Sequence, residues 1–187
     1  MEPIRELIAV DLEMTGLQVK TDRILEIGAV RLVDGQLRDT FQTFVNPHRR
    51  IDARITELTG IWPEMVENAP EAEEALRKFL EFAGEAPFLG HNVIFDYSFL
   101  KQCAVNHKIS LERSALDTLK IARKVLKEPE KKSLEALCGY FQIDREHAHR
   151  AVDDAKATAE LFLMLQQKYQ QQEPGLFVPK PLHYKVK

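Results

Sequence analysis

The stretch LIAVDLE at residues 7–13 constrains the fold of this chain most. It is a continuous apolar run that ends in two acids, the pattern of a strand buried on both faces whose end opens onto a site. Such a strand needs pairing partners beside it and covering layers above and below, and the rest of the chain supplies both. Residues 24–33 and 40–45 are rich in β-branched and apolar side chains. Asp34-Gly35 lies between them as a hairpin turn, so three antiparallel strands are expected first. After Asn46-Pro47 the period becomes helical. Ala72, Ala75, Leu76, Phe79, Leu80 and Ala83 mark a surface helix that Gly84 stops. PFLG at 87–90 reads as a short buried strand and 93–106 as a helix. Further helices are expected at 116–126, at 133–140 with a Ser133 cap, and at 151–170. Strands first, then a strand among helices, predicts an α/β layer fold with a mixed sheet.

At 187 residues and 44% hydrophobic content the chain fits one domain, expected to span 1–170. Pro174-Gly175 break the last helix, so 171–187 is expected to be a flexible end. Its QEPGLF segment loosely resembles peptides that dock on sliding clamps, which makes a clamp or a DNA polymerase a candidate partner for the tail. The N-terminal MEPIRELIAV mixes charges of both signs and lacks the plan of a secretory signal. No apolar run reaches the roughly 18–20 residues that span a membrane, so a cytoplasmic protein without membrane contact is expected. Cys103 and Cys138 lie far apart in apolar helical contexts and read as reduced, buried thiols.

A net charge of −3 is unusual for a protein that grips phosphates. Two divalent cations held among the acids would move that formal total to +1, so charge balance does not exclude a nucleic-acid substrate. Asp11 and Glu13, two apart on a strand, leave the same face of the sheet roughly 6.6 Å apart along the backbone. Carboxylates so placed repel unless a hard cation such as Mg²⁺ sits between them. With 29 acids in the chain, acid-x-acid triplets also arise by chance, so the pair gains meaning from what accompanies it. HNVIFD at 91–96 places Asp96 in the first turns of a helix, near its positive end. HRAVDDA at 149–155 places His149 at a helix start and Asp154 about one turn along, and imidazole is the side chain best suited to take a proton near neutral pH.

The order D-x-E, then H-N-x-x-F-D, then H-x-x-x-x-D resembles the DEDDh exonucleases, the family of bacterial proofreading subunits, ribonuclease T and oligoribonuclease. The resemblance covers residues from about 7 to 168. It implies a ribonuclease H-like fold, with a five-stranded mixed sheet flanked by helices. Asp11, Glu13, Asp96 and Asp154 would hold two Mg²⁺ or Mn²⁺ ions, and His149 would act as general base. Thr15, Gly16 and Leu17 would line the pocket for the 3′ nucleotide, with His91 and Asn92 beside it as substrate contacts or turn formers. By the same spacing His147 is assigned to the surface and Asp153 points away. Glu26 is taken as structural, bonded to loop backbone near the site, and LTGI at 58–61 resembles a substrate-contacting loop. The basic residues of 120–132 read as a solvated face, with phosphate contact as the alternative.

The implied activity is 3′→5′ hydrolysis of single-stranded or frayed DNA to nucleoside 5′-monophosphates, in proofreading or repair. The single residue between Glu13 and Thr15 matches oligoribonuclease and points instead to RNA 3′ ends, whereas HN-x-x-FD matches the proofreading branch. A non-catalytic nucleic-acid-binding module is the third class, and the presence of all five catalytic-type residues argues against it.

Overall fold

The computed structural model describes residues 4–186. Strands β1 (Glu6–Met14), β2 (Ile24–Val33) and β3 (Gln36–Phe44) form the antiparallel unit expected from the sequence. Two short helices follow, α1 (Ala53–Thr59) and α2 (Pro63–Val66), and then α3 (Ala72–Ala83). The strands β4 (Phe88–Gly90) and β5 (Ser114–Asp117) flank α4 (Val93–Asn106). The helices α5 (Thr118–Val125), α6 (Leu134–Phe141) and α7 (Ala151–Tyr169) complete the body, and β6 (Lys180–Pro181) closes the sheet. The order across the sheet is β3-β2-β1-β4-β5-β6, with β1, β4 and β5 mutually parallel and β6 antiparallel to β5.

β1 carries one core on each face. Ile8, Val10 and Leu12 join the core beneath α3 and α4, while Leu7 and Ala9 join the core beneath α7. The two-residue period therefore sends Asp11 and Glu13 to the α7 face. Because β1, β4 and β5 are parallel, their C-terminal ends share one edge, where ligands of open α/β sheets collect.

Three expectations are corrected. The sheet has six strands rather than five. Leu116 and Asp117, expected to begin a helix, instead end β5, paired with Leu89 and Gly90. Four residues are too few to display a strand period, and Asp117 is the N-cap of α5, its carboxylate accepting from the Leu119 amide at 2.9 Å. α1 was also unforeseen. Asp52 caps its start and Gly60, left-handed at φ 71°, its end, so that Leu58 and Thr59 of LTGI are helical.

The segment beyond α7 is packed against the domain. Pro174–Phe177 make a 3-10 turn that buries Phe177 to 2% exposure, its ring 6.0 Å from that of Phe162. β6 then covers the edge of β5, and Leu182 enters the core on the other face. Burial of a side chain such as Phe177 is worth about 1.5–3 kcal/mol, and with Leu182 and the β5–β6 pairing it offsets part of the cost of ordering the tail. Among the described residues no helix is long and apolar enough to cross a membrane.

Candidate active site

Asp11, Glu13 and Asp154 converge, with one carboxylate oxygen from each lying within 4.8 Å of the others. Gly28, opposite Asp11 in the β1–β2 register, makes this possible. A Cβ there would stand 2.1 Å from the Val152 amide nitrogen, so only hydrogen leaves room for the first turn of α7 to rest on β2. Glu26, opposite Glu13 and fully buried, holds that turn. Its Oε1 accepts from the Ala151 amide at 2.7 Å, and its Oε2 pairs with the Arg150 guanidinium at 2.7 Å. This is the structural role expected for Glu26.

Asp96 stands one step apart from this cluster. Its Oδ1 accepts from the Leu12 amide at 3.2 Å, yet it contributes the largest charge repulsion felt by Asp11. Burial, reinforced by these neighbours, pushes Asp11 well above the usual carboxylate range and Glu13 to about 9. Burial likewise pushes Asp96 to about 8, against the opposing Leu12 hydrogen bond. Four acids raised by burial and by one another form a hard-oxygen donor set in which Arg145 offsets only the charge of Asp154, so a divalent cation fits it. Asp154 is also raised by burial, but Arg145 partly offsets this through two donors to Oδ1 at 2.6 and 3.1 Å. Arg145 was not singled out from the sequence, because it lies outside every motif.

His149 sits in a left-handed turn at φ 64° just before α7. It lines a cleft of about 730 Å³ together with Thr15, Leu17, Ile55 and Leu58. Leu17 is 78% exposed and Leu58 51%, so two apolar side chains face solvent across the cleft mouth. The turn carrying Thr15 and Gly16 is built around Asp22, whose carboxylate takes the Thr15 hydroxyl at 3.1 Å and the Gln18 amide at 2.9 Å. A Cβ on Gly16 would meet that carboxylate at 2.4 Å, which explains the glycine.

His91 and Asn92 serve as turn formers in this structure. His91 bridges the Thr118 hydroxyl at 2.8 Å and the Lys132 carbonyl at 2.7 Å, and it faces a different cavity from His149. Asn92 adopts a left-handed conformation, its amide held by Asp117 at 2.9 Å. Asp117 is thus a positioning residue that the sequence reading missed, since it lay inside an expected helix. His147 is exposed and contacts Asp153 at 3.4 Å, apart from the Asp11 cluster.

A family model described as "Exonuclease" matches residues 8–162. The DNA polymerase III PolC-type protein of Caldanaerobacter subterraneus subsp. tengcongensis is 45% identical over 166 residues, covering 89% of this chain and 12% of the relative. That of Clostridium perfringens is 42% identical over 156 residues, 83% of this chain and 11% of the relative. The chain thus spans about a tenth of the length of these polymerases. Among solved structures, Exonuclease X in complex with 5′ overhanging duplex DNA superposes with a TM-score of 0.72 at 25% identity, covering 87% of this chain and 92% of that one.

Proposed function

Because this chain belongs to the DEDDh 3′–5′ exonuclease family, we propose that it trims single-stranded or frayed DNA 3′ ends in the cytoplasm, in proofreading or repair. The products are nucleoside 5′-monophosphates. The observation that carries this reading is the convergence of Asp11, Glu13 and Asp154 beside a cleft that His149 lines.

In this reading Asp11, Glu13, Asp96 and Asp154 hold two Mg²⁺ or Mn²⁺ ions. Bound there, such ions lower the pKa of a water and stabilise charge on the leaving 3′ oxygen. His149 takes the proton of the attacking water from its place at the cleft wall. Thr15, Gly16 and Leu17 form one side of the nucleotide pocket and Leu58 the other, where exposed leucines offer apolar surface to the terminal base. His91 and Asn92 act indirectly, by fixing the start of α4 and with it Asp96.

The matched segment lies within DNA polymerase III PolC-type proteins, which supports work alongside a polymerase as part of the same reading. Docking of a sliding clamp on 171–187 would require Phe177 to leave Phe162; a pull-down with and without those residues tests it. The one-residue gap between Glu13 and Thr15 favours RNA as a second substrate.

The deciding experiment incubates the protein with 5′-labelled DNA and RNA oligomers in Mg²⁺, Mn²⁺ or EDTA. A ladder from the 3′ end of DNA, only with metal, is expected. Asp11→Ala and Asp154→Ala should abolish it. His149→Ala should slow it about 10²–10⁴-fold with metal affinity retained. Metal-independent cleavage, or an unaffected His149→Ala, overturns the reading.

A further inference from the structure

α5 and the loop after it carry five exposed cations, Lys120, Arg123, Lys124, Lys127 and Lys131. Among the described residues none of them lies within ion-pairing distance of a carboxylate. Some cations elsewhere are matched, as in Arg77–Glu73, Lys78–Glu74 and Lys101–Glu112, while single ones among the described residues, such as Arg54, Lys156 and Lys168, also stand unpaired. α5 contains no acid at all, and Lys120 and Lys124 are one turn apart on its surface. Like charges at that spacing destabilise a helix. What sets α5 apart is a run of cations with no acid among them, which folding does not explain; Glu128 and Glu130 enter only in the loop beyond it.

The patch is tied to the candidate active site at both ends. Asp117 caps the start of α5 and holds the Asn92 amide, the residue just before the helix that bears Asp96. At the other end the loop returns, and the Lys132 carbonyl meets His91. Lys132 itself is occupied by the carbonyls of Lys127 and Pro129, which fixes the loop. Between these anchors lies an open cavity of about 510 Å³ walled by His91, Leu119, Arg123, Leu126 and Lys132, with Glu130 as its one carboxylate.

The sheet order places this face on a definite side of the acids. α1 and the cleft of Leu17, Leu58 and His149 lie toward β2 and β3, where Ile55 packs with Leu25 and Phe44. α5 begins at the end of β5, two strand spacings (about 10 Å) from β1 in the opposite direction. A strand whose 3′ nucleotide occupies the cleft and whose last phosphodiester lies over Asp11 has this face ahead of it.

We propose that the α5 face binds the phosphate backbone of the substrate strand several nucleotides 5′ of the cut. The inference rests on the exonuclease reading for where the cut occurs. It makes affinity depend on strand length and salt, because each phosphate neutralised releases counterions.

The test compares the intact protein with a Lys124→Glu/Lys127→Glu variant, and uses Lys168→Glu on the far end of α7 as control. The probes are the p-nitrophenyl ester of thymidine 5′-monophosphate, which is too small to reach α5, and a labelled single strand of about twenty nucleotides. The double variant is expected to hydrolyse the ester at the normal rate. For the long strand its KM should rise about tenfold or more at low salt, with the slope of log affinity against log salt shallower by about 1.4, roughly 0.7 for each of the two lost contacts. The control should match the unaltered protein. A double variant with unchanged KM and salt slope for the long strand overturns the proposal. Failure of the unaltered protein to cleave the ester would count against the exonuclease reading instead. Anisotropy of the long strand in EDTA would then still show whether the patch binds it, and equal binding by the double variant again refutes the proposal.

Discussion

Asp11 of β1 faces Gly28 of β2, and the missing side chain of Gly28 is what brings Asp154 to Asp11. The first turn of α7 lies in the space a Cβ would fill. A glycine in one strand thus sets the position of a carboxylate that is distant in sequence.

Gly28→Ala should therefore act on both stability and activity. Overpacking costs about 1–3 kcal/mol, and here the neighbour is backbone that cannot rotate away. A lower Tm together with weakened metal binding by Asp154 is expected from thermal melts and Mn²⁺ titration. A variant that melts normally and binds Mn²⁺ normally would contradict the contact.

Asp117→Ala removes one acceptor from two amides, those of Asn92 and Leu119. Loss of the helix cap alone costs about 0.5–2 kcal/mol. The left-handed turn before α4 loosens as well, so kcat should fall through a misplaced Asp96 while KM changes little. Steady-state kinetics on a short oligomer would reveal this split.

Burial of the acids, reinforced by their mutual repulsion, makes the metal-free protein sensitive to alkali. Folded Glu13 keeps its proton to about 9 and Asp96 to about 8. Unfolded, both ionise near pH 4. Between those limits the folded state binds more protons, so its stability declines as pH rises through that window. In EDTA, Tm should drop steadily between about pH 6 and 9. Glu13→Gln should flatten the decline, and saturating Mn²⁺ should reverse it. A Tm independent of pH in EDTA would show that the acids are not buried and crowded as described.

Arg145 supplies positive charge to Asp154, with both side chains nearly buried. Removing one partner of such a pair costs about 3–5 kcal/mol because the other charge is left unmatched. Arg145→Ala should accordingly melt several degrees early in EDTA, and the deficit should shrink once Mn²⁺ restores charge at Asp154. A deficit of the same size with and without metal would assign Arg145 a packing role only.

Much of this protein was legible in the sequence alone. The run of 7–13 fixed a two-sided central strand, its period put Asp11 and Glu13 on one face, and α3, α4 and α7 appeared at nearly their observed bounds. These features are local, written in periods of 2.0 and 3.6 residues and in caps such as Ser133 and Gly84. Tertiary structure decided what local patterns cannot encode. β5 is a strand because β4 lies beside it, and Phe177 is core because Phe162 offers a surface. Arg145 reaches Asp154 because the loop before α7 folds back, and Gly28 matters because a helix from the other end of the chain rests on it. Each depends on which distant residue arrives, and contact between distant residues leaves no period in the sequence.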